Sequence, residues 1–281
     1  MKNFKRIFVN IIAALLVITA CFGLTACTAD VRKVELTVKV FNYDEEVNAF
    51  EDVTLTVDLY RHLAPKTVDK MLSYVKDGYY NDNVFYKMAD YSKQIMMGDL
   101  KATAANAIVE NDIKPQLDGE FERGGTIGSN LTNVAGAVGL WRSWYAWQDS
   151  YKTSDSSLNS GRATWYMPTE TISSYNTWFC IFALIDLSNE SNSEAWDLIK
   201  EALAEQTQSY TVYYTGTYDK EKADENYGLT FNCVETAQFD EDQIDGLFKA
   251  ENEQLVCYNH YEIKVPVTPT GEIAAKIVSA K

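Results

Sequence analysis

Residues 34–60 alternate between apolar and polar side chains, and this pattern constrains the fold more than any other feature of the chain. The first run reads VELTVKVFN, and the second, DVTLTVDLY, begins at Asp52. Successive side chains of a β-strand point to opposite faces of a sheet, so a period of two predicts strands with one buried face. From Val34 onwards the sequence therefore predicts β structure.

A helix is predicted directly after these strands. Pro65 suits the first helical position, and Gly78 stands where a C-terminal cap is expected. Between them, apolar residues recur with helical spacing at Val68, Met71, Leu72 and Val75. A short strand over residues 83–88 is predicted to follow.

The rest of the chain reads as short strands and one more helix. Strands are predicted at residues 136–141, 163–167 and 179–186, and further strand-like pieces follow around acidic turns. The second helix is predicted from about Glu194 to Glu205, with Ser193 or Asn192 as its N-cap. Many short strands with two helices predict a mainly β fold, an antiparallel β-barrel with a helix at each end.

The first 27 residues predict the compartment. Basic residues precede a mostly apolar run, residues 7–24, which is typical of a secretory signal and too short for a lasting transmembrane helix. The run ends in LTAC, which looks like a bacterial lipobox with Cys27 as the lipidated residue. A second candidate, ITAC, ends at Cys21, and an ordinary cleaved signal is the third interpretation. We expect a signal peptide at residues 1–26, a lipidated tether at 27–33, and an extracytoplasmic protein anchored to the bacterial cell membrane by its acyl chains.

Charge and residue content argue against several classes of function. The chain has 25 basic and 40 acidic residues and a net charge of −15, which argues against a nucleic-acid partner. Its two histidines, His62 and His260, lack metal-ligand spacing, so we predict no metal site and no cofactor. Cys180 lies in an apolar run typical of a buried strand, and a disulfide between Cys233 and Cys257 is left open.

A series of short motifs then occurs in an order that one protein family shares. The motifs are LY (59–60), APKTV (64–68), GYY (78–80), FYK (85–87), MMGD (96–99), the run that begins with GEF (119–143), NSGRATWYM (159–167) and YNTWFCIFALID (175–186). The series resembles the cyclophilin family of peptidyl-prolyl isomerases over roughly residues 34–204 and the last strand. This resemblance implies a cyclophilin-like closed antiparallel β-barrel capped by two α-helices, formed by residues 34–281 with insertions at about 143–158 and 207–258.

The resemblance also implies a chemistry that needs neither a cofactor nor proton transfer. Amide resonance gives the prolyl bond a rotation barrier of about 18–20 kcal/mol. A cyclophilin twists this bond in an apolar pocket, and an arginine donates a hydrogen bond toward the prolyl nitrogen, which stabilises the twisted transition state. In this chain the arginine position holds Lys87, which keeps the charge but lacks the planar guanidinium fork. Lys87 is therefore the predicted catalytic residue of a weakened site.

The other groove positions of the family carry over one by one. The family's glutamine falls on Met96, with Gln94 as the alternative because one extra residue precedes Asp99. A second glutamine becomes Thr164, an alanine becomes Trp141, and a histidine becomes Phe179. The predicted substrate-binding residues are Phe85, Met96, Trp141, Arg142, Thr164, Tyr166 and Phe179.

The first insertion places further aromatic residues beside the presumed groove. Together with Trp141 it supplies Trp144, Tyr145, Trp147 and Tyr151. These rings form either a platform for a peptide or a cell-wall glycan, or a layer packed over the barrel rim. The sequence assigns no role to the acidic second insertion.

Two functions follow from these observations. The first is a membrane-anchored, extracytoplasmic peptidyl-prolyl cis-trans isomerase whose degraded catalytic set leaves weak or no activity on proline-containing segments of secreted proteins. The alternative is a non-catalytic lipoprotein that binds a peptide, a protein or a glycan through the cyclophilin groove and the aromatic insertion. Function must be argued from the site, because one fold supports many functions.

Overall fold

The computed structural model describes residues 30–88, 92–112, 114–121, 131–142, 161–216, 230–235, 250–251 and 254–281. The predicted signal peptide, Cys27 and the aromatic residues of the first insertion lie outside these ranges. Within them, no helix is both long and apolar enough to cross a membrane.

Strands are the main regular structure of the described chain. The strands are β1 (Val31–Asn42), β2 (Ala49–Tyr60), β3 (Gln94–Met97), β4 (Leu100–Ala102), β5 (Ile108–Glu110), β6 (Ala137–Leu140), β7 (Trp165–Pro168), β8 (Cys180–Ile185), β9 (Thr207–Gly216), β10 (Thr230–Glu235), β11 (Ala250–Glu251), β12 (Gln254–Pro266) and β13 (Ala275–Ala280). Two α-helices are present among these residues, α1 (Pro65–Lys76) and α2 (Glu190–Glu205). A short 3-10 helix covers Ser173–Tyr175.

Three sheets organise the strands. The largest has seven strands in the order β13-β1-β2-β8-β6-β7-β3, and every pair in it is antiparallel. A second sheet, in the order β10-β9-β12-β11, is built from the second insertion and the residues around it. Strands β4 and β5 form a two-stranded ribbon. The prediction of a mainly β, antiparallel fold with two helices is confirmed.

A short segment links the two edge strands of the large sheet. Val84 bridges to Lys276 of β13, and Tyr86 bridges to Met96 of β3. The Tyr86 and Met96 backbones exchange two hydrogen bonds, of 3.1 and 2.8 Å. The strand predicted at residues 83–88 therefore exists as isolated bridges, and the closed barrel stays a prediction.

Helix α1 begins and ends as the sequence predicts, but a distant residue caps it. Pro65 is its first residue, and Gly78 follows its end with a φ of +69°. The helix has no side-chain cap of its own. The Glu120 carboxylate accepts hydrogen bonds from the backbone N–H groups of Lys66 at 3.0 Å and Thr67 at 2.6 Å. A carboxylate at this end of a helix also opposes the positive end of its dipole.

Helix α2 begins one turn earlier than predicted. Its N-cap is Asn189, whose side chain accepts a hydrogen bond from the Asn192 N–H at 3.1 Å, so the prediction of Ser193 or Asn192 as the cap is wrong. The first turn contains only polar residues, so the helical spacing of apolar residues does not extend into it. Asn192 is instead buried, and its side chain exchanges hydrogen bonds with the backbone of Thr56, which ties the helix to β2.

Two clusters of buried side chains lie on opposite faces of the same strands. The main core gathers residues of the large sheet and both helices, including Ile95, Trp165 and Cys180, which is a buried free thiol. The second cluster consists of Val84, Tyr86, Met96, Leu100, Ala102, Ile108, Trp141, Tyr166, Phe179, Tyr210, Ile263, Val265 and Ile273. Strands β3, β6 and β7 are therefore buried on both faces, which explains why their sequences lack polar alternation.

Candidate functional site

The alternation of side chains around residue 86 decides which of them can face the presumed groove. Phe85 belongs to the main core, whereas Tyr86 belongs to the second cluster with Met96 and Tyr166. Neighbouring residues of an extended segment point to opposite sides. Phe85, predicted to bind substrate, therefore lies apart from the other groove residues.

Aromatic rings fill the centre of the second cluster. The Trp141 and Phe179 rings stack with centroids 5.3 Å apart and an interplanar angle of 16°. Tyr166 meets Phe179 edge-on, with centroids 5.0 Å apart, and lies 5.9 Å from Trp141. Trp141 keeps 8% of its surface exposed, while Tyr166 keeps none. The structure thus brings these predicted residues together, with the rings packed on one another.

Met96 is buried in the same cluster as these aromatic rings. It pairs with Tyr166 between β3 and β7 and is 1% exposed. Gln94 precedes it by two residues on the same strand and is buried. The Gln94 side chain hydrogen-bonds the Tyr175 phenol, and Tyr175 lies against Tyr166 at the edge of the cluster. Gln94 and Met96 therefore share a face, but Gln94 contacts the rim instead of taking the Met96 position.

The Tyr166 hydroxyl has a partner that the sequence did not indicate. It donates a 2.5 Å hydrogen bond to the side-chain oxygen of Asn133. Asn133 is itself buried and hydrogen-bonded to Asn176. Burial raises the pKa of Tyr166 well above its ordinary value, so the phenol stays neutral and acts as a fixed donor. Asn133 lies within the motif run 119–143, but the sequence did not show that it contacts Tyr166, which lies 33 residues further along the chain.

A partly buried carboxyl group adjoins the aromatic rings. The Tyr86 hydroxyl lies 2.9 Å from both oxygens of Asp99, to which it donates. Thr164 also hydrogen-bonds this carboxyl, and burial raises the pKa of Asp99 to about 6 despite these donors. Thr164 is the predicted site residue that links this group to the rings, because its carbonyl accepts the Trp141 N–H at 2.8 Å. The motifs FYK and MMGD contain Tyr86 and Asp99, but the sequence does not show that these two residues are in contact.

The Lys87 ammonium points toward a helix end. Its Nζ donates a 3.2 Å hydrogen bond to the Leu203 carbonyl, in the last turn of α2. The Lys87 backbone also exchanges two hydrogen bonds with Lys264 of β12, at 2.9 and 2.8 Å. A cation at a helix C-terminus is stabilised by the negative end of the dipole. The structure therefore accounts for the positive charge at this position without a substrate.

Arg142 is a buried cation stacked on aromatic rings. Its guanidinium carbon lies 4.9 Å from the Phe121 ring centre and 5.3 Å from that of Phe179. Arg142 is 3% exposed, and burial lowers its pKa to about 10. At neutral pH it remains charged and is held by the ring faces. Its predicted role in substrate binding, like those of the other groove residues, stays a prediction.

Several predicted features fall outside the described residues or side chains. These are the aromatic residues Trp144, Tyr145, Trp147 and Tyr151 of the first insertion and the side chains of Cys233, Cys257 and His260. Among the side chains that the structure does describe, no group of three or more His, Cys, Asp or Glu residues is placed to hold a metal ion.

Comparison with known proteins gives one family. Residues 46–178 match the model of the family described as cyclophilin type peptidyl-prolyl cis-trans isomerase/CLD. A comparison with curated proteins found no match.

Among solved structures, the chain is similar to a cyclophilin type peptidyl-prolyl cis-trans isomerase of Cryptosporidium parvum. One structure of that protein is 16% identical, with 55% of this chain and 77% of that chain covered and a TM-score of 0.36. Another, determined in the presence of the dipeptide Ala-Pro, is 14% identical, with 74% and 100% covered and a TM-score of 0.37. The family model itself, which matches residues 46–178, confirms the resemblance to the cyclophilin-type peptidyl-prolyl isomerase family that the sequence predicted.

Proposed function

We propose that this protein is a lipid-anchored, extracytoplasmic cyclophilin-like protein whose prolyl isomerase activity is weak or absent. The observation that carries the proposal is the hydrogen bond from Lys87 Nζ to the Leu203 carbonyl. Catalysis of this type needs a donor that is free to meet the prolyl nitrogen in the twisted state. A lysine engaged at a helix end would have to give up that bond before it could act.

The packing of the groove residues supports the same proposal. Met96 and Tyr166 are almost completely buried, and Trp141 stacks on Phe179. A proline ring would have to displace one of these rings to enter the apolar pocket that the family resemblance implies. Displacing a packed aromatic ring forfeits both its buried area and its ring–ring contacts.

A protease-coupled assay on proline-containing peptides tests the proposal. We expect the wild-type protein to accelerate isomerisation weakly or not at all, and Lys87→Ala to leave that rate unchanged. Lys87→Arg restores the planar donor and serves as the matched variant. Strong wild-type catalysis that disappears in Lys87→Ala would refute the proposal.

The second candidate function is non-catalytic binding of a proline-containing peptide or protein segment. Its support is the edge of the second cluster, where Met88, Tyr175 and Trp178 are only partly buried and pack against the rings. Amphipathic aromatic side chains at such an edge suit a peptide partner. Calorimetric titration with proline peptides and with peptidoglycan fragments distinguishes a peptide ligand from a glycan. We expect Trp178→Ala to weaken the binding, with Trp141→Ala as the comparison in the buried part of the cluster.

The anchor and the compartment are proposed from the signal sequence alone. Cys27 is the proposed lipidated residue. Cys27→Ser should release the protein from the membrane fraction and remove the acyl mass from its N-terminus. If the variant stays in the membrane fraction and Cys21→Ser is released, the anchor lies at Cys21 instead.

A further inference from the structure

Three cationic side chains gather around two tyrosines beside helix α1. Lys70 lies one turn before Tyr74 on the helix, and its Nζ is 6.0 Å from the Tyr74 ring centre. Lys114 Nζ lies 5.5 Å from that ring centre and 4.5 Å from the centre of the Tyr79 ring. Arg162 joins them, because its Nη1 donates a 2.5 Å hydrogen bond to the Lys114 carbonyl. We call Lys70, Lys114 and Arg162 the cation cluster.

The cation cluster lacks the counter-charges that other basic residues nearby possess. Lys66 on the same helix pairs with Asp118 at 2.5 Å, and Arg61 pairs with Asp69. Within the described ranges, no carboxylate forms an ion pair with Lys70, Lys114 or Arg162. Like charges held together repel one another. Among the described residues, these three cations thus have no carboxylate ion pair, although the chain carries a net charge of −15.

The Tyr74 hydroxyl gives a second and independent observation. Tyr74 is 5% exposed, and its buried hydroxyl has no hydrogen-bond partner among the described residues. Buried polar groups are nearly always hydrogen-bonded, so an unpartnered donor calls for an acceptor. Burial raises the pKa of Tyr74, and the positive charge of Arg162 opposes that rise. The hydroxyl therefore remains an O–H donor within the field of Arg162.

We propose that the cation cluster and the Tyr74 hydroxyl form a binding site for the carboxylate of an acidic residue in a bound peptide. A carboxylate accepts several hydrogen bonds, and Arg162 and Tyr74 together offer more than one donor. Its negative charge complements the positive charges of the three cations. The long side chains of Lys70 and Lys114 can move to admit it.

The site lies next to the candidate groove. Arg162 precedes Thr164 by two residues, so their Cα atoms are at most about 7 Å apart. An extended peptide advances about 3.3 Å per residue, so a carboxylate two or three residues from a proline bound near Thr164 would reach the cation cluster. This step rests on the proposed function, since it takes a peptide in the groove as the carrier of the carboxylate.

The test uses matched peptides and the full-length protein. Acetylated and amidated proline peptides carry either Glu or Gln at each of the three positions before the proline, and calorimetry measures their affinities at low salt. At one position the Glu peptide should bind about five- to tenfold more tightly than the Gln peptide, and salt should reduce the ratio. Arg162→Ala should abolish the preference. Equal affinity of the Glu and Gln peptides at all three positions would overturn the site.

Three controls keep the outcome specific. Lys76→Ala removes an exposed charge on the same helix, about 200° around the axis from Tyr74, and should leave the preference intact. Tyr74→Phe should reduce the preference without lowering the unfolding temperature, because the hydroxyl has no partner to lose. Inorganic phosphate should compete with the Glu peptide only at far higher concentration. Phosphate that binds as tightly as the peptide would overturn the assignment to a carboxylate.

A measurement without any peptide separates this site from the proposed function. The α-amide of N-acetylglutamate, but not the α-amide of N-acetylglutamine, should shift the NMR signal of the Arg162 Nε–H group. If no proline peptide binds and this shift persists, the proposed function fails while the carboxylate site stands. If proline peptides bind and the shift is absent, the carboxylate site fails alone.

Discussion

The carboxyl group of Asp99 connects the stability of the site to pH. Burial raises its pKa from the ordinary value of 3.8 to about 6, although Tyr86 and Thr164 both hydrogen-bond it. The folded protein therefore holds this proton more tightly than the unfolded chain does. Asp99→Asn replaces the carboxyl by a neutral group of the same shape that can still accept from the Tyr86 hydroxyl.

The sign and size of the effect follow from linkage. Below about pH 4 the carboxyl is protonated in both states. As the pH rises toward 6, the unfolded chain ionises first, so the stability that wild type derives from this group decreases. The rise of the pKa from 3.8 to about 6, at 1.36 kcal/mol per unit of pKa, corresponds to roughly 3 kcal/mol. Above pH 7 this penalty is constant.

Denaturant unfolding at several pH values measures the difference between the two proteins. We expect Asp99→Asn to gain roughly 2–3 kcal/mol relative to wild type between pH 3.5 and pH 7. Other carboxyl groups are common to both proteins, so their contributions cancel in the difference. Glu201→Gln, an exposed site on α2, serves as the control for the loss of one negative charge. A difference that does not change with pH would refute the assignment of the raised pKa to Asp99.

Three further predictions concern packing and helix ends. Lys87→Ala should lower the free energy of unfolding by about 1–2 kcal/mol, because the Leu203 carbonyl loses a charged donor; an unchanged midpoint in urea would contradict this. Gly139→Ala should cost about 1–3 kcal/mol, because the added methyl group overlaps the Tyr166 ring; thermal unfolding and peptide titration should both report the loss, and unchanged stability would show that the ring moves freely. Glu120→Gln should cost about 1 kcal/mol by weakening the cap of α1; an unchanged midpoint of urea unfolding would contradict this.

Local patterns were enough to predict a large part of the fold. The alternation in residues 34–60 gave β1 and β2, and the spacing from Pro65 to Gly78 gave α1. The start of α2 was missed, since its first turn carries only polar residues and Asn192 is buried through contacts with a strand 136 residues away. The cap of α1 was also missed, because Glu120 lies more than 50 residues after the N–H groups that it caps.

The candidate site was likewise predicted only in part from the sequence. The motifs around Met96, Trp141, Tyr166 and Phe179 identified residues that the structure brings together in one cluster. Sequence order could not separate Phe85 from Tyr86, because the side that each residue faces depends on how the segment sits between β13 and β3. Nor could it show the contact of Tyr86 with Asp99 or that of Lys87 with Leu203.

The sequence by itself therefore determined the resemblance to the cyclophilin family, the periodic elements, and a lysine at residue 87, the position to which the resemblance assigns an arginine. The tertiary structure alone decided that Lys87 meets a helix end, that Tyr86 faces the aromatic rings, and that Lys70, Lys114 and Arg162 converge on Tyr74. The physical reason is the separation along the chain over which each interaction acts. Periodicity and capping act over a few neighbouring residues, whereas burial, ring packing and charge clustering depend on segments that only folding brings into contact.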